Sequence, residues 1–185
     1  MNETLKTIAR RRSIRKFKAQ QIPQELISEI LKAAMLAPSA HNEQSWFFTV
    51  MQNRELIKEL NQASKNAAKN FHIDDIRKIA EHPTLDIFYG APTVIIISGK
   101  PSALLNEINC AAATMNLLIA AESLDIGSCW NGIAGILFHQ EPKKYASLFK
   151  LPDGYQPHYA IALGYKDMQP INAPIQKNIM VNYFN

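Results

Sequence analysis

Glycine is scarce in this chain. There are seven in 185 residues, and none falls in a G-x-G-x-x-G pattern or a phosphate loop ending in Gly-Lys-Ser/Thr, so the sequence-encoded nucleotide cradles are excluded. Cysteine is scarcer still. Cys110 and Cys129 stand in apolar surroundings without Cys-x-x-Cys or zinc spacing, which predicts free thiols, a reducing compartment and hence a cytoplasmic protein. No His-Glu-x-x-His and no G-x-S-x-G elbow occurs, and the five histidines are scattered. Chemistry by a metal or by an acid–base pair of side chains is therefore unsupported: no catalytic residue and no metal ligand is assigned. No apolar run reaches the ~18 residues of a membrane span, and no signal-like run opens the chain. A protein that does chemistry without reactive side chains of its own relies on an organic cofactor.

What is present is a knot of positive charge. Of 20 basic and 16 acidic residues, seven and one lie in residues 1–18, which leaves 13 bases against 15 acids in the remainder. The net charge of +4 is thus a property of the N-terminus. A diffuse basic surface would suit nucleic acid or membrane; one compact cluster suits a single small anionic group. Four arginines and a serine fall within Arg10-Arg-Arg-Ser-Ile-Arg-Lys-Phe17. If this stretch is extended, Arg11, Ser13 and Arg15 share one side and Arg12, Ile14 and Lys16 the other. The first side offers two guanidinium forks and a hydroxyl, donors that suit a phosphate monoester. The alternative is a solvated cluster complementing a helix C-terminus.

The rest reads as one domain, residues 1–185, long enough to bury ~70% of the surface its unfolded chain exposes. Helices are expected at Thr4–Arg11, with Leu5, Ile8 and Ala9 on one face, and from Pro23, with Ile27, Ile30, Leu31, Ala34 and Met35 in one stripe. Pro38 stops the second. Trp46–Met51 is a strand, and Asn53 caps a helix with Leu56, Ile57, Leu60 and Ala63 inward. Residues 64–83 read as a helical excursion over the surface, a possible lid. Strands follow at Thr93–Ser98, Ile126–Trp130, ending in an Asn131-Gly132 turn, and Tyr159–Leu163, closed by Gly164; a short helix spans Pro142–Phe149. Between the first two of these strands, Ala103–Leu124 is apolar on almost every side. That predicts cover by a second subunit, or else a central helix in a monomer. A last strand-like run, Ile179–Phe184, needs a sheet edge, and a partner's sheet is the natural one.

Segments from end to end resemble the nitroreductase family. They are Arg11-Arg-Ser-Ile-Arg15-x-Phe17, Ala37-Pro-Ser-Ala-x-Asn42-x-Gln44-x-Trp46, Gly90-Ala-Pro92 and Cys110-Ala-Ala-Ala113. In the same order follow Ala120-Ala-Glu-Ser-Leu124-x-Ile-Gly-Ser-Cys-Trp130, Ala162-Leu-Gly-Tyr165 and Ala173-Pro174-x-x-Lys177. The resemblance implies an α+β fold, with a central, mostly antiparallel sheet flanked by helices and a C-terminal strand added from the partner of a homodimer. It implies FMN as cofactor and NAD(P)H as reductant. Arg11 and Ser13 are expected at the FMN phosphate with Arg12 assisting, Arg15 nearer the N1/O2 edge of the flavin, and Lys177 as a further phosphate contact. Pro38, Ser39, Ala40 and Asn42 are expected to reach the flavin of the partner subunit, and Trp130, Asn131 and Gly132 to bring backbone amides to its N5/O4 side.

Three positions depart from the family pattern. Ser45 stands where proline is frequent, which suggests a less rigid loop. Asn131 replaces an apolar residue and is expected to place an amide near the flavin, and Gln176 replaces an arginine. Lys65–Asn70 is a further stretch that could touch the flavin. The activity implied is alternating hydride transfer from NAD(P)H to a nitroaromatic, quinone or similar small acceptor. The alternatives are another flavin reaction, or a flavin-binding sensor or storage protein without turnover. Nucleic-acid binding ranks last, for want of interleaved aromatics and a second basic patch, and no membrane partner is expected.

Overall fold

The structure, a computed structural model, describes residues 1–169 and 181–184. Strands β1 (Trp46–Met51), β2 (Thr93–Gly99), β3 (Ile126–Asn131) and β4 (Gln156–Tyr165) form one sheet in the order β1-β2-β4-β3. Every pairing is antiparallel. The helices are α1 (Glu3–Arg10), α2 (Gln24–Met35), α3 (Arg54–Ala68), α4 (Asp74–Glu81), α5 (Asn106–Ser123), α6 (Ile133–Gln140) and α7 (Pro142–Leu148).

β2 explains the layering. Val94, Ile95, Ile96 and Ile97 are all fully buried, because successive side chains point to opposite faces and both faces are covered. Val94 and Ile96 join the core under α3, α6 and α7, whereas Ile95 and Ile97 join the core under α2 and α5. Burying each such side chain is worth about 1.5–3 kcal/mol, which places this strand inside the sheet and leaves β1 and β3 as edges. The α2 stripe is as the spacing predicts: Ile27, Ile30 and Ala34 are buried.

Four differences from the sequence reading have physical causes. Leu5 and Ile8 of α1 face outward, and Thr7 is the residue that helix buries. The 64–83 excursion begins inside α3, where Ser64, Lys65 and Ala68 are buried. β4 runs through Gly164 instead of stopping there. Helix α6 was not foreseen, since Asn131-Gly132 is not a plain turn: the Asn131 Oδ1 accepts from the Ala134 amide at 3.1 Å and so caps the first turn of α6. The strand expected at 179–184 begins outside the described residues, and residues 181–184 form no strand within the chain. Among the described residues no helix is long and apolar enough to cross a membrane.

Two glycines position the N-terminal segment. Gly127 and Gly164 are partners across β3–β4. A Cβ on Gly127 would lie 3.1 Å from Ile14, and one on Gly164 would lie 2.9 Å from Phe17. The missing side chains let residues 13–17 cross the sheet in close contact, and Ile14 and Phe17 drop into the core.

Candidate functional site

The arginine segment is built into the sheet. Helix α1 ends at Arg10, and Arg11 turns to an extended conformation (φ −55°, ψ 129°). Ser13 then forms a parallel bridge with Ser128, and the Ile14 amide donates to the Ser128 carbonyl at 2.9 Å. Phe17 bridges Lys166. The basic side chains divide the work. Arg10 pairs with Glu122 at 3.2 Å and Lys16 with Asp167 at 3.1 Å. Arg12 donates to the carbonyls of Ala9 and Arg11 at 2.8 and 2.6 Å, complementing the end of α1. Among the described residues no carboxylate is ion-paired with Arg11 or Arg15. Both approach Cys129: burial pushes that thiol up from its ordinary pKa, while the Arg15 and Arg11 guanidiniums pull it part of the way back.

The same strand carries Trp130 and Asn131, with Gly132 next in the chain, and Arg11, Ser13 and Arg15 approach it just before them, at Ser128 and Cys129. Trp130 is 36% exposed and packs on Tyr159, ring centroids 4.6 Å apart. Beside it a cavity of about 490 Å³ is lined by Phe71, Trp130, Gly132, Ile136, His139 and Tyr159, among others. The Asn131 side chain is not in this space. It is buried, donates to the Ile87 carbonyl at 2.5 Å and caps α6, so the expectation of an amide side chain presented to the flavin is corrected. What Asn131 shapes is the start of α6 behind Gly132.

Pro38, Ser39, Ala40 and Asn42 lie elsewhere. Their loop closes in a 3-10 turn, Ala40–Asn42, with His41, Asn42 and Gln44 at φ of 51°, 54° and 47°. Such backbone persists only where neighbours enforce it, and Asn109 of α5 does so. Its Oδ1 accepts from the Ala40 amide at 3.0 Å, and its Nδ2 donates to the Ser45 hydroxyl at 3.2 Å and the Leu104 carbonyl at 2.9 Å. Ser45 is buried, and its carbonyl accepts from the Lys100 amide at 3.1 Å. The Ser45 hydroxyl thus ties the loop to α5 through Asn109, a hydrogen bond that a proline could not make. The loop is anchored to α5 at Asn109 and the arginine segment at Glu122. Thirteen residues of helix put these anchors about 20 Å apart, so one chain does not bring the two groups together.

The Lys65 ammonium donates to the carbonyls of His82 and Leu85 at 2.5 and 3.0 Å, which pins the segment before β2. Lys177 and Gln176 lie outside the described residues. Sequence reasoning passed over Asn109 and Glu122. Both carried a signal, as polar residues in an otherwise apolar helix.

These elements define an α+β protein with an arginine-rich segment crossing an antiparallel sheet beside an exposed tryptophan. The profile of the Nitroreductase family matches residues 8–165, and the chain belongs to that family. It is 35% identical over 171 residues to a putative NADH dehydrogenase/NAD(P)H nitroreductase of Archaeoglobus fulgidus, covering 89% of this chain and 86% of that one. It is 32% identical over 174 residues to a protein of the same description from Methanothermobacter thermautotrophicus, covering 91% and 80%. A nitroreductase with bound FMN from Bacteroides fragilis superimposes with a TM-score of 0.84 at 31% identity, over 98% of this chain and 100% of that one.

Proposed function

We propose that this chain is an FMN-dependent oxidoreductase that takes hydride from NAD(P)H and passes it to a small acceptor such as a nitroaromatic or quinone. The observation that carries this reading is the pair Arg11 and Arg15, flanking Ser13 on backbone fixed to β3 and unclaimed by any carboxylate among the described residues. The donors fit the group. Arg11 and Ser13 match a phosphate monoester, each charge-assisted hydrogen bond being worth about 1.5–3 kcal/mol, and Arg15 supplies a cation for the ring. Backbone at Trp130 and Gly132, at the amide end of α6, offers further donors. When bound, FMN supplies the hydride chemistry that no side chain here provides. The cavity beside Trp130 gives a flat acceptor a place to stack.

The functional unit in this reading is a homodimer. The loop of Pro38, Ser39, Ala40 and Asn42 is held near one end of α5 and the arginine segment near the other, so two copies packed with their α5 helices antiparallel would bring each loop to the partner's arginines. Apolar surface lies where such packing needs it: Ile108 is 62% exposed and Met115 43%, with Leu5, Ile8 and Leu36 also outward. Lys177 is assigned to the phosphate, and the tail around it to the partner's sheet edge. Two free buried thiols suit a reducing, cytoplasmic compartment.

The purified protein is expected to be yellow, to release FMN on denaturation and to have the mass of a dimer. NADH or NADPH should bleach the flavin and a quinone restore its colour. Flavin that stays oxidised under both nucleotides would favour a storage protein; a colourless protein that takes up no FMN would end the reading.

A further inference from the structure

His158 stands where the sheet breaks register. Across β2–β4, Ile97 pairs with Tyr159 and Ser98 with Pro157, so His158 is the extra residue of a bulge. Bulges re-aim a side chain and recur beside active sites. Two glycines leave room for this one. A Cβ on Gly99 would lie 2.8 Å from the His158 Nε2, and one on Gly135 2.6 Å from the His158 carbonyl oxygen. The residue is buried, and its side chain belongs to the wall of the cavity shared by Trp130, Gly132 and Tyr159.

The two ring nitrogens are unequal. Nε2 is turned to the start of α5, 2.9 Å from the Asn106 Nδ2, where both residues border a second cavity. The Asn106 Oδ1 faces the Cys110 sulfur at 4.0 Å, which leaves the amide nitrogen as donor and Nε2 as acceptor. A neutral imidazole then carries its proton on Nδ1, and among the described residues Nδ1 has no hydrogen-bond partner. Burial lowers the pKa below its ordinary value, with Glu107 opposing and His139 lowering it further, so the neutral ring is the form present at pH 7. The cavity's other polar side chains, His139 and Gln140, are exposed, and Gln140 donates to the Ala67 carbonyl at 3.3 Å. No carboxylate, lysine or arginine lines it among the described residues. His158 is its buried donor.

We propose that the His158 Nδ1–H donates a hydrogen bond to an oxygen of the electron acceptor, which makes His158 a catalytic residue of acceptor reduction and selects flat acceptors that carry a carbonyl or nitro oxygen. This rests on the proposed function, with the acceptor stacked beside Trp130. The acceptor takes a hydride, its oxygen gains negative charge, and a solvent proton neutralises it; His158 keeps its own proton. A donor fixed where that charge develops stabilises the transition state more than the bound acceptor. Asn106 sets the tautomer, because its amide occupies Nε2 and leaves the hydrogen on Nδ1.

The test is stopped-flow reoxidation of the reduced, FMN-loaded protein by naphthoquinone and by ferricyanide, on the unaltered chain, His158→Gln and His158→Asn. Glutamine's longer amide reaches the Nε2 position and keeps a partner for Asn106. Asparagine's shorter amide returns a donor near the Nδ1 position. Ferricyanide takes single electrons and needs no such bond. His158→Gln is expected to slow reoxidation by naphthoquinone about 100-fold, the worth of one donor at a developing oxyanion. Its ferricyanide rate and its bleaching by NADH or NADPH should match the unaltered chain, and His158→Asn should recover most of the lost quinone rate. An unaltered quinone rate in His158→Gln, an equal slowing with both oxidants, or an asparagine variant as slow as the glutamine one overturns the proposal. An unaltered chain that takes up no FMN, or whose reduced flavin naphthoquinone does not reoxidise, overturns the parent reading, and this one with it.

Discussion

The Arg10 guanidinium lies 3.2 Å from a Glu122 carboxylate whose side chain is 4% exposed, and Lys166 reaches the other oxygen at 2.8 Å. One buried anion thus joins the end of α1, the end of α5 and the extension of β4, and it settles where the arginine segment begins. Glu122→Ala leaves two cations that are partly or largely solvated, so the cost is well below that of orphaning a buried charge, about 1–2 kcal/mol. Urea unfolding should register that loss. FMN affinity should fall with it, because Arg11 and Ser13 follow directly from the displaced Arg10.

The strands were legible where composition and burial agree. Thr93–Ile97 is β-branched throughout and proved to belong to the strand covered on both faces, and the α2 stripe follows a 3.6-residue period into the core. Helix α6 was hidden because six of its eight residues are apolar or glycine, which erases the period, and because Asn131-Gly132 resembles a turn. Its Gly135 lies so close to β4 that a Cβ would be 2.6 Å from the His158 carbonyl, a requirement visible only in three dimensions. Site residues were legible as donor chemistry at Arg11, Ser13 and Arg15. The roles of Asn131, Ser45 and Lys65 were not, because each depends on a carbonyl or amide far away in sequence.

Removing the phosphate donors separates two halves of the cofactor. Arg11→Ala should weaken FMN by about 1.5–3 kcal/mol, the worth of a charge-assisted hydrogen bond, and leave riboflavin affinity unaltered; Ser13→Ala should act in the same direction with a smaller effect. Fluorescence titration with both flavins reads this directly. Equal losses for FMN and riboflavin would remove Arg11 from the phosphate.

Asn109 serves the other half of the site. Asn109→Ala deletes one acceptor and two donations around the Pro38–Ser45 loop, leaving the Ala40 amide and the Ser45 hydroxyl short of a partner. About 1–3 kcal/mol of stability should be lost, and hydrogen exchange at Ala40 should accelerate ahead of exchange in β2. If Ala40 remains protected, the strained loop has another support.

The buried histidine sets an acid limit. His158 is 8% exposed, with its Nε2 2.9 Å from the Asn106 amide nitrogen. In this arrangement the imidazole accepts, and protonation removes the hydrogen bond. Burial is the main cause that lowers its pKa below 6.5, with nearby His139 lowering it further and Glu107 opposing. Between the folded value and 6.5 the unfolded chain binds the extra proton, so stability rises with pH across that interval. The contribution is complete above the unfolded value and is lost as pH falls through the folded one. Urea midpoints stepped from pH 7.5 downward should decline below about 6.5, and His158→Gln, which keeps an amide beside Asn106 but cannot titrate, should flatten that decline. An identical slope in the variant would move the acid sensitivity to another group.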